Sequence, residues 1–229
     1  KPSSAASDVY KRQVIPFKRI QRAKQRLASV LSADERQLLS QRMLEDVLDT
    51  ACQSKAFEEI VVATNCEEVI PITKRKGALN LKISQDLGLN HAAREAAEWL
   101  CSQNIESMCL FPADIPLAND SEFRLVVHDH IVGGMPIIPS HDQFGTNCLV
   151  LSPPNLIPFC FGKDSYFKHL RQGLKLNLAY QVKFMCGIAL DIDTPKDLKA
   201  LVTTPNRTLS QNYLEKIQIS SRLNLRSSS

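Results

Sequence analysis

Two carboxylate-bearing segments stand out for their chemistry. FPADIP holds Asp114 between two prolines at the end of an apolar run, and DIDTP places Asp191 and Asp193 at i and i+2. In an extended segment such residues point the same way, and two like charges side by side repel unless a cation or a proton lies between them. A hard divalent cation such as Mg2+ is bound by one or two carboxylates together with substrate phosphates. Asp114, Asp191 and Asp193 are therefore the candidate metal ligands. Taken singly, an Asp at a strand end serves as often as a turn former or helix cap, which would account for Asp193 and leave Asp191 unexplained.

The complementary charge lies near the start of the chain. Lys18, Arg19, Arg22, Lys24 and Arg26 follow the run QVIPF within nine residues. One reading is a strap over the outer phosphates of a nucleotide that offsets charge on departing pyrophosphate; the other is a solvated helix face. The net charge of +4 is uneven: residues 1–26 carry eight cationic side chains against Asp8 alone, which leaves the remainder slightly acidic. The sequence contains no GxxxxGK[ST] and no GxGxxG, so P-loop and dinucleotide-fold readings lose their main support.

Three further loops offer small-ligand chemistry. LGLNHAA has Gly88 to relax the backbone and Asn90 as a helix cap or a contact to a base or ribose. FGTN carries Thr146. FGKDSYFKHL runs into a helix, so Gly162 and Ser165 can present donors to a small anion, or Ser165 is an ordinary early-helix residue. His91, His128, His130 and His169 show no HExxH or triad-like signature and read as surface or packing residues, whereas His141, near FGTN, is held as a candidate for acceptor binding.

The elements that position these loops alternate. A strand over 13–17 precedes a helix that Ser32 caps and Glu35 completes as a capping box, with Leu39, Met43 and Val47 on one stripe. Strands over EEIVVATN, LNLKIS, SMCLF, MPIIPS, NCLVL and YQVKFM are interleaved with helices over 90–101, 120–130, 164–172 and 195–201. This predicts a three-layer α/β domain on a mainly parallel sheet, with ligands at the carboxyl ends of the strands. Residues 1–12 read as a disordered extension, 13–204 as the domain and 205–229 as a C-terminal tail with one short helix. At 229 residues, with 44% hydrophobic and 23% charged residues, the chain has the composition of a folded domain. Seven cysteines with no CxxC pair argue against a disulfide framework and a structural zinc site, and point to a reducing compartment. With no apolar run of membrane-spanning length and no signal-like start, the expected location is the cytoplasm, away from membranes.

Taken in order, VIPFKRIQRAKQRL, GLNHAA, PADIP, GTN, FGKDS and DIDTP resemble the phospholactate guanylyltransferase (CofC/FbiD) family of coenzyme F420 biosynthesis, a branch of the nucleotidyltransferases with a glycosyltransferase-A-like fold. The likeness runs from about Val14 to Leu201. It implies an enzyme that transfers GMP from GTP to the phosphate of a small three-carbon acid and releases pyrophosphate, the acid being 2-phospho-L-lactate, phosphoenolpyruvate or 3-phospho-D-glycerate. Carried over by motif, Asp114, Asp191 and Asp193 would hold Mg2+, and Lys18, Lys24 and Arg26 would contact the triphosphate. Thr146, Gly162 and Ser165 would bind the acceptor, and Asn90 with its loop would face the nucleotide. Gln25 stands where family members usually have a small hydroxyl residue, and Phe144 where many have glycine.

The chemistry fits the residues. An acceptor phosphate is already anionic at neutral pH and needs no general base, so the lack of a triad-like histidine is expected. Alignment and cancellation of repulsion between two polyanions remain to be supplied. Two rival readings are a nucleotidyltransferase of the same fold acting on a sugar phosphate or molybdopterin, and an RNA-binding module built on the basic first 26 residues. The second would need stacking aromatics among the cations, where only Tyr10 and Phe17 occur, so no nucleic-acid partner is expected. A homodimer is compatible with the sequence.

Overall fold

The computed structural model describes residues 11–17, 24–85, 87–128 and 134–224. Lys18 and residues 1–10 of the proposed 1–12 extension lie outside them; the described chain begins with β1 (Lys11–Phe17), so Lys11 and Arg12 belong to a strand. Its first helix, α1 (Ala33–Ser54), starts where the capping box predicts: Ser32 Oγ accepts from the Glu35 amide at 3.3 Å, and Glu35 Oε2 accepts from the Ser32 amide at 2.8 Å. The four-residue stripe of Leu39, Met43 and Val47 is fully covered.

Along the chain follow β2 (Glu59–Thr64), α2 (Ile70–Arg75), β3 (Leu79–Lys82), α3 (Leu89–Ser102), β4 (Ser107–Leu110), α4 (Asp120–His128), β5 (Gly134–Pro139) and β6 (Thr146–Leu151). Then come α5 (Ser165–Lys175), β7 (Ala179–Val182), α6 (Cys186–Ala189), α7 (Pro195–Thr203), α8 (Leu209–Lys216) and α9 (Ile219–Arg222). The strands form one sheet in the order β3-β2-β1-β4-β6-β5-β7. Every pairing is parallel except those of β6, which runs against both β4 and β5. The connection over 140–145 is too short for a parallel crossover, so β5 and β6 can only pair antiparallel.

Alternate side chains of the sheet feed two apolar layers. Ile15, Val62, Cys109 and Val150 pack with α1 and with the edge-to-face cluster of Phe57, Phe111 and Phe123. Val14, Val61, Met108 and Leu149 pack under the alanine face of α3, Ala92, Ala93, Ala96 and Ala97. The three-layer α/β architecture expected from the alternation is therefore present.

The end of the chain differs from the tail reading. α8 and α9 lie on α1 and α7, with Leu214 and Ile219 buried beside Leu39, Met43 and Leu198. Thr208 and Gln211 form a capping box for α8. The buried Asp46 carboxylate of α1 accepts from the Leu209 amide at 2.6 Å and from the Ser210 amide at 2.9 Å. Residues 209–222 thus close the third apolar cluster. No helix among the described residues is long and apolar enough to cross a membrane.

Candidate active site

The predicted metal ligands arrive from two stretches far apart in sequence. β4 ends at Leu110 and delivers Asp114 just beyond the sheet, while the segment between α6 and α7 delivers Asp191 and Asp193. The two are joined by main chain: the Ile192 amide donates to the Asp114 carbonyl at 2.9 Å. The second segment is anchored on both sides. Glu122 Oε1 of α4 accepts from the Gly187 amide at 2.8 Å. Asn147 Nδ2, at the start of β6, donates to the carbonyls of Ile188 and Ala189 and to Asp191 Oδ1 at 3.0, 2.9 and 3.0 Å. Gly187 has no substitute there, because a Cβ would stand 2.3 Å from the Leu117 carbonyl oxygen. Asn147 was not singled out by sequence, although it is the last residue of FGTN.

Lys24 completes the cluster. Its ammonium group is buried, bonds Asp114 Oδ2, and donates to Asp193 Oδ1 at 2.6 Å. Burial alone would lower the Lys24 pKa, and the charges of Asp114 and Asp193 outweigh it and raise it. Asp191 behaves oppositely. Burial and the neighbouring Asp114 charge push its carboxyl up to about 6, against the hydrogen bond from Asn147. Asp114 Oδ1 is buried with no hydrogen-bond partner among the described residues.

The three carboxylates therefore meet at one edge, but not as a ready-made cage. Among the described residues no group of three His, Cys, Asp or Glu side chains stands at metal-binding distances, and the cation between Asp114 and Asp193 is Lys24. In kind, the donor set suits Mg2+: hard oxygen ligands, one of them an orphaned buried acceptor, in a cluster whose like charges favour protonation. Thr194, with Asp197, is the cap of α7, so Asp193 is not needed in that role. Arg26 is exposed beside the cluster's lysine, in the turn that follows it.

A second constellation lies at the same end of the sheet, across β6. Thr146 and Ser165, the first residue of α5, are both buried, and Ser165 Oγ donates to Thr146 Oγ1 at 3.3 Å. His169, one turn along α5, is fully buried with Nδ1 3.0 Å from Thr146 Oγ1 and Nε2 accepting from the Cys160 amide at 2.9 Å. The packing reading holds, and the ring is in addition bonded to Thr146, at i−23, and to the loop before Gly162. Its i+4 spacing from Ser165 was the available signal. Gly162 has φ +113°, which suits glycine alone.

Two candidates take other places than the sequence suggests. Asn90 does not cap α3, whose cap position is Gly88. Its amide donates to the Phe161 carbonyl at 3.1 Å and its Oδ1 accepts from the Phe161 amide at 2.6 Å, which spends it on holding the FGKDS loop. It also borders a cavity of about 590 Å³ with Leu87, His91, Arg94 and Phe159. His141 stands by the aspartate segment: its amide donates to the Ala189 carbonyl at 2.8 Å and Nε2 lies 3.5 Å from Asp197 Oδ1.

Comparison with known proteins identifies the family. The family model described as "Guanylyl transferase CofC like" matches residues 11–229. A 3-phospho-D-glycerate guanylyltransferase of Colwellia psychrerythraea is 36% identical over 195 residues, covering 84% of this chain and 92% of that one. A 2-phospho-L-lactate guanylyltransferase of Methanobrevibacter smithii is 31% identical over 212 residues, covering 93% and 92%. In fold, the chain is similar to a nucleotidyl transferase of Methanothermobacter thermautotroptrophicus, with a TM-score of 0.63 at 11% identity over 90% of this chain and 99% of that one.

Proposed function

Because the chain belongs to the CofC-like guanylyltransferase family, we propose that it transfers GMP from GTP to the phosphate of a small three-carbon acid and releases pyrophosphate. The acceptor class is 2-phospho-L-lactate, phosphoenolpyruvate or 3-phospho-D-glycerate, and the product serves coenzyme F420 biosynthesis. The observation that carries the reading is the meeting of Asp114, Asp191, Asp193 and Lys24 at the carboxyl edge of the sheet, one strand from the hydroxyls of Thr146 and Ser165.

Asp114, Asp191 and Asp193 are the residues that would hold Mg2+. When bound, the ion supplies charge neutralisation and polarisation of the reacting phosphorus. Lys24, with Lys18 and Arg26 from the same basic stretch, meets the triphosphate and balances the charge of the leaving pyrophosphate. Thr146, Ser165 and the loop at Gly162 orient the acceptor. Its phosphate oxygen attacks the α-phosphorus, the α–β phosphoanhydride bond breaks, and the leaving electron pair goes to pyrophosphate. No side chain removes a proton, because the nucleophile is already an anion. None of the seven cysteines is in a disulfide, which supports a reducing compartment, the cytoplasm.

Mass spectrometry after incubation with GTP, Mg2+ and an equimolar mixture of the three acids tests this. The expected product is one acid joined through a pyrophosphate linkage to guanosine, with release of pyrophosphate. Transfer to a sugar phosphate but to none of the acids overturns it.

A further inference from the structure

His169 carries no role in the reaction as written, yet its bonding dictates its protonation. A backbone N–H can only donate, so Nε2, which receives the Cys160 amide at 2.9 Å, is the lone-pair nitrogen. The proton of the neutral ring is then on Nδ1, and Nδ1–H donates to Thr146 Oγ1 at 3.0 Å. The same oxygen accepts from Ser165 Oγ at 3.3 Å. A hydroxyl oxygen has two lone pairs, and both are taken. What remains is its own hydrogen, for which no acceptor is present among the described residues.

We propose that His169 is a positioning residue that fixes Thr146 as a one-way hydrogen-bond donor to the anionic acceptor, an inference that rests on the acceptor-pocket reading above. With the imidazole and Ser165 both donating inward, the Thr146 hydroxyl cannot accept from a ligand; it can only give its hydrogen to one. A phosphate or carboxylate oxygen satisfies it, whereas a ligand offering only N–H or O–H groups at that point meets a donor. Burial, with the charge of Lys168, lowers the His169 pKa to about 4, so the ring stays neutral in the tautomer the geometry requires. The ring is also held sideways: the Phe161 ring meets it edge-to-face at 4.8 Å, and Asn90 clamps the Phe161 backbone from the other side.

Two measurements test this on the full chain. The 15N spectrum of histidine-labelled protein without substrate should show one ring protonated at Nδ1 and bare at Nε2 throughout pH 6 to 8, and that ring should vanish in His169→Leu. A His169 ring protonated at Nε2, or at both nitrogens, overturns the inference whatever the activity. In steady-state assays His169→Leu should raise the acceptor KM about tenfold, the scale of one lost hydrogen bond, with the GTP KM within about twofold. His169→Asn, whose amide can place a donor where Nδ1 stood, should recover most of the loss. An unchanged acceptor KM, or equal rises for both substrates, overturns it. If His169→Leu does not fold, Thr146→Val against Thr146→Ser decides: the valine variant should raise the acceptor KM more than the serine variant, which keeps the hydroxyl, and equal effects overturn the inference. A wild-type chain that guanylylates none of the three acids overturns the acceptor reading instead, while the substrate-free spectrum still judges the tautomer.

Discussion

The two corners of the site are opposites in charge and in how far they satisfy themselves. At the aspartate corner, Asp114 and Asp193 share one ammonium group, one Asp114 oxygen has no partner among the described residues, and Asp191 is pushed towards protonation. At the hydroxyl corner every group is neutral and each described bond runs in one direction, from imidazole and serine into threonine. The first corner holds negative charge that a further cation or a proton relieves; the second is finished except for one outward hydrogen. Cation and anion sites can therefore adjoin across a single strand, because one is left electrostatically incomplete and the other is complete but for a donor.

Substitutions can break or sharpen that contrast. The largest effect is expected at the incomplete corner: Asp191→Asn should lower turnover at least about 100-fold, the scale of losing one electrostatic stabiliser, with the acceptor KM little changed. Near-normal turnover would mean the aspartates are structural and the two corners do not differ in kind.

A smaller change separates charge holding from chemistry. Lys24→Met leaves Asp114 and Asp193 facing each other without their cation, which should cost about 1–3 kcal/mol of stability; the value lies below that of a fully buried pair because both carboxylates are partly exposed. Added Mg2+ should raise the melting temperature of this variant more than that of wild type. Equal shifts in the two proteins would remove the cation-holding role from this corner.

The gentlest probe is pH at the neutral corner. In the unfolded chain His169 takes up a proton near its ordinary pKa of about 6.5, but in the folded protein only near about 4. The unfolded state binds more protons across that window, so stability falls as pH drops from about 6.5 towards 4. Relative to His169→Asn, the wild type should lose about 1–3 kcal/mol over this range in urea unfolding. A difference independent of pH would show that the ring is not held neutral.

Much of this was legible in the chain itself. Local signals that depend on a few adjacent residues read true: the Ser32 capping box, the period of α1, and the position of Asp114 beyond the end of an apolar strand. The reversal of β6 was readable in principle from the short 140–145 connection, and α8 from the capping pair Thr208 and Gln211. Interactions made across the fold were not. Nothing near Asn90 announces that its amide will be spent on Phe161, and nothing near Lys24 announces two aspartates at |i−j| of 90 and 169. His169 falls between these cases. Helix spacing places it beside Ser165, but its partner at Cys160, which decides the tautomer, is supplied by a loop whose path no local rule gives.

The bond from the Ile192 amide to the Asp114 carbonyl has a consequence for how such a protein can change over time. The tie belongs to the peptide units, so no exchange of side chains at either position erases it short of a proline at 192, which has no N–H to give, and the spacing of the aspartates is inherited with the backbone. The pocket beyond β6, by contrast, turns its hydroxyl and imidazole side chains, Thr146, Ser165 and His169, to the task. Descendants are free to revise which acid they accept, one substitution at a time, while the machinery that joins it to the nucleotide stays in register.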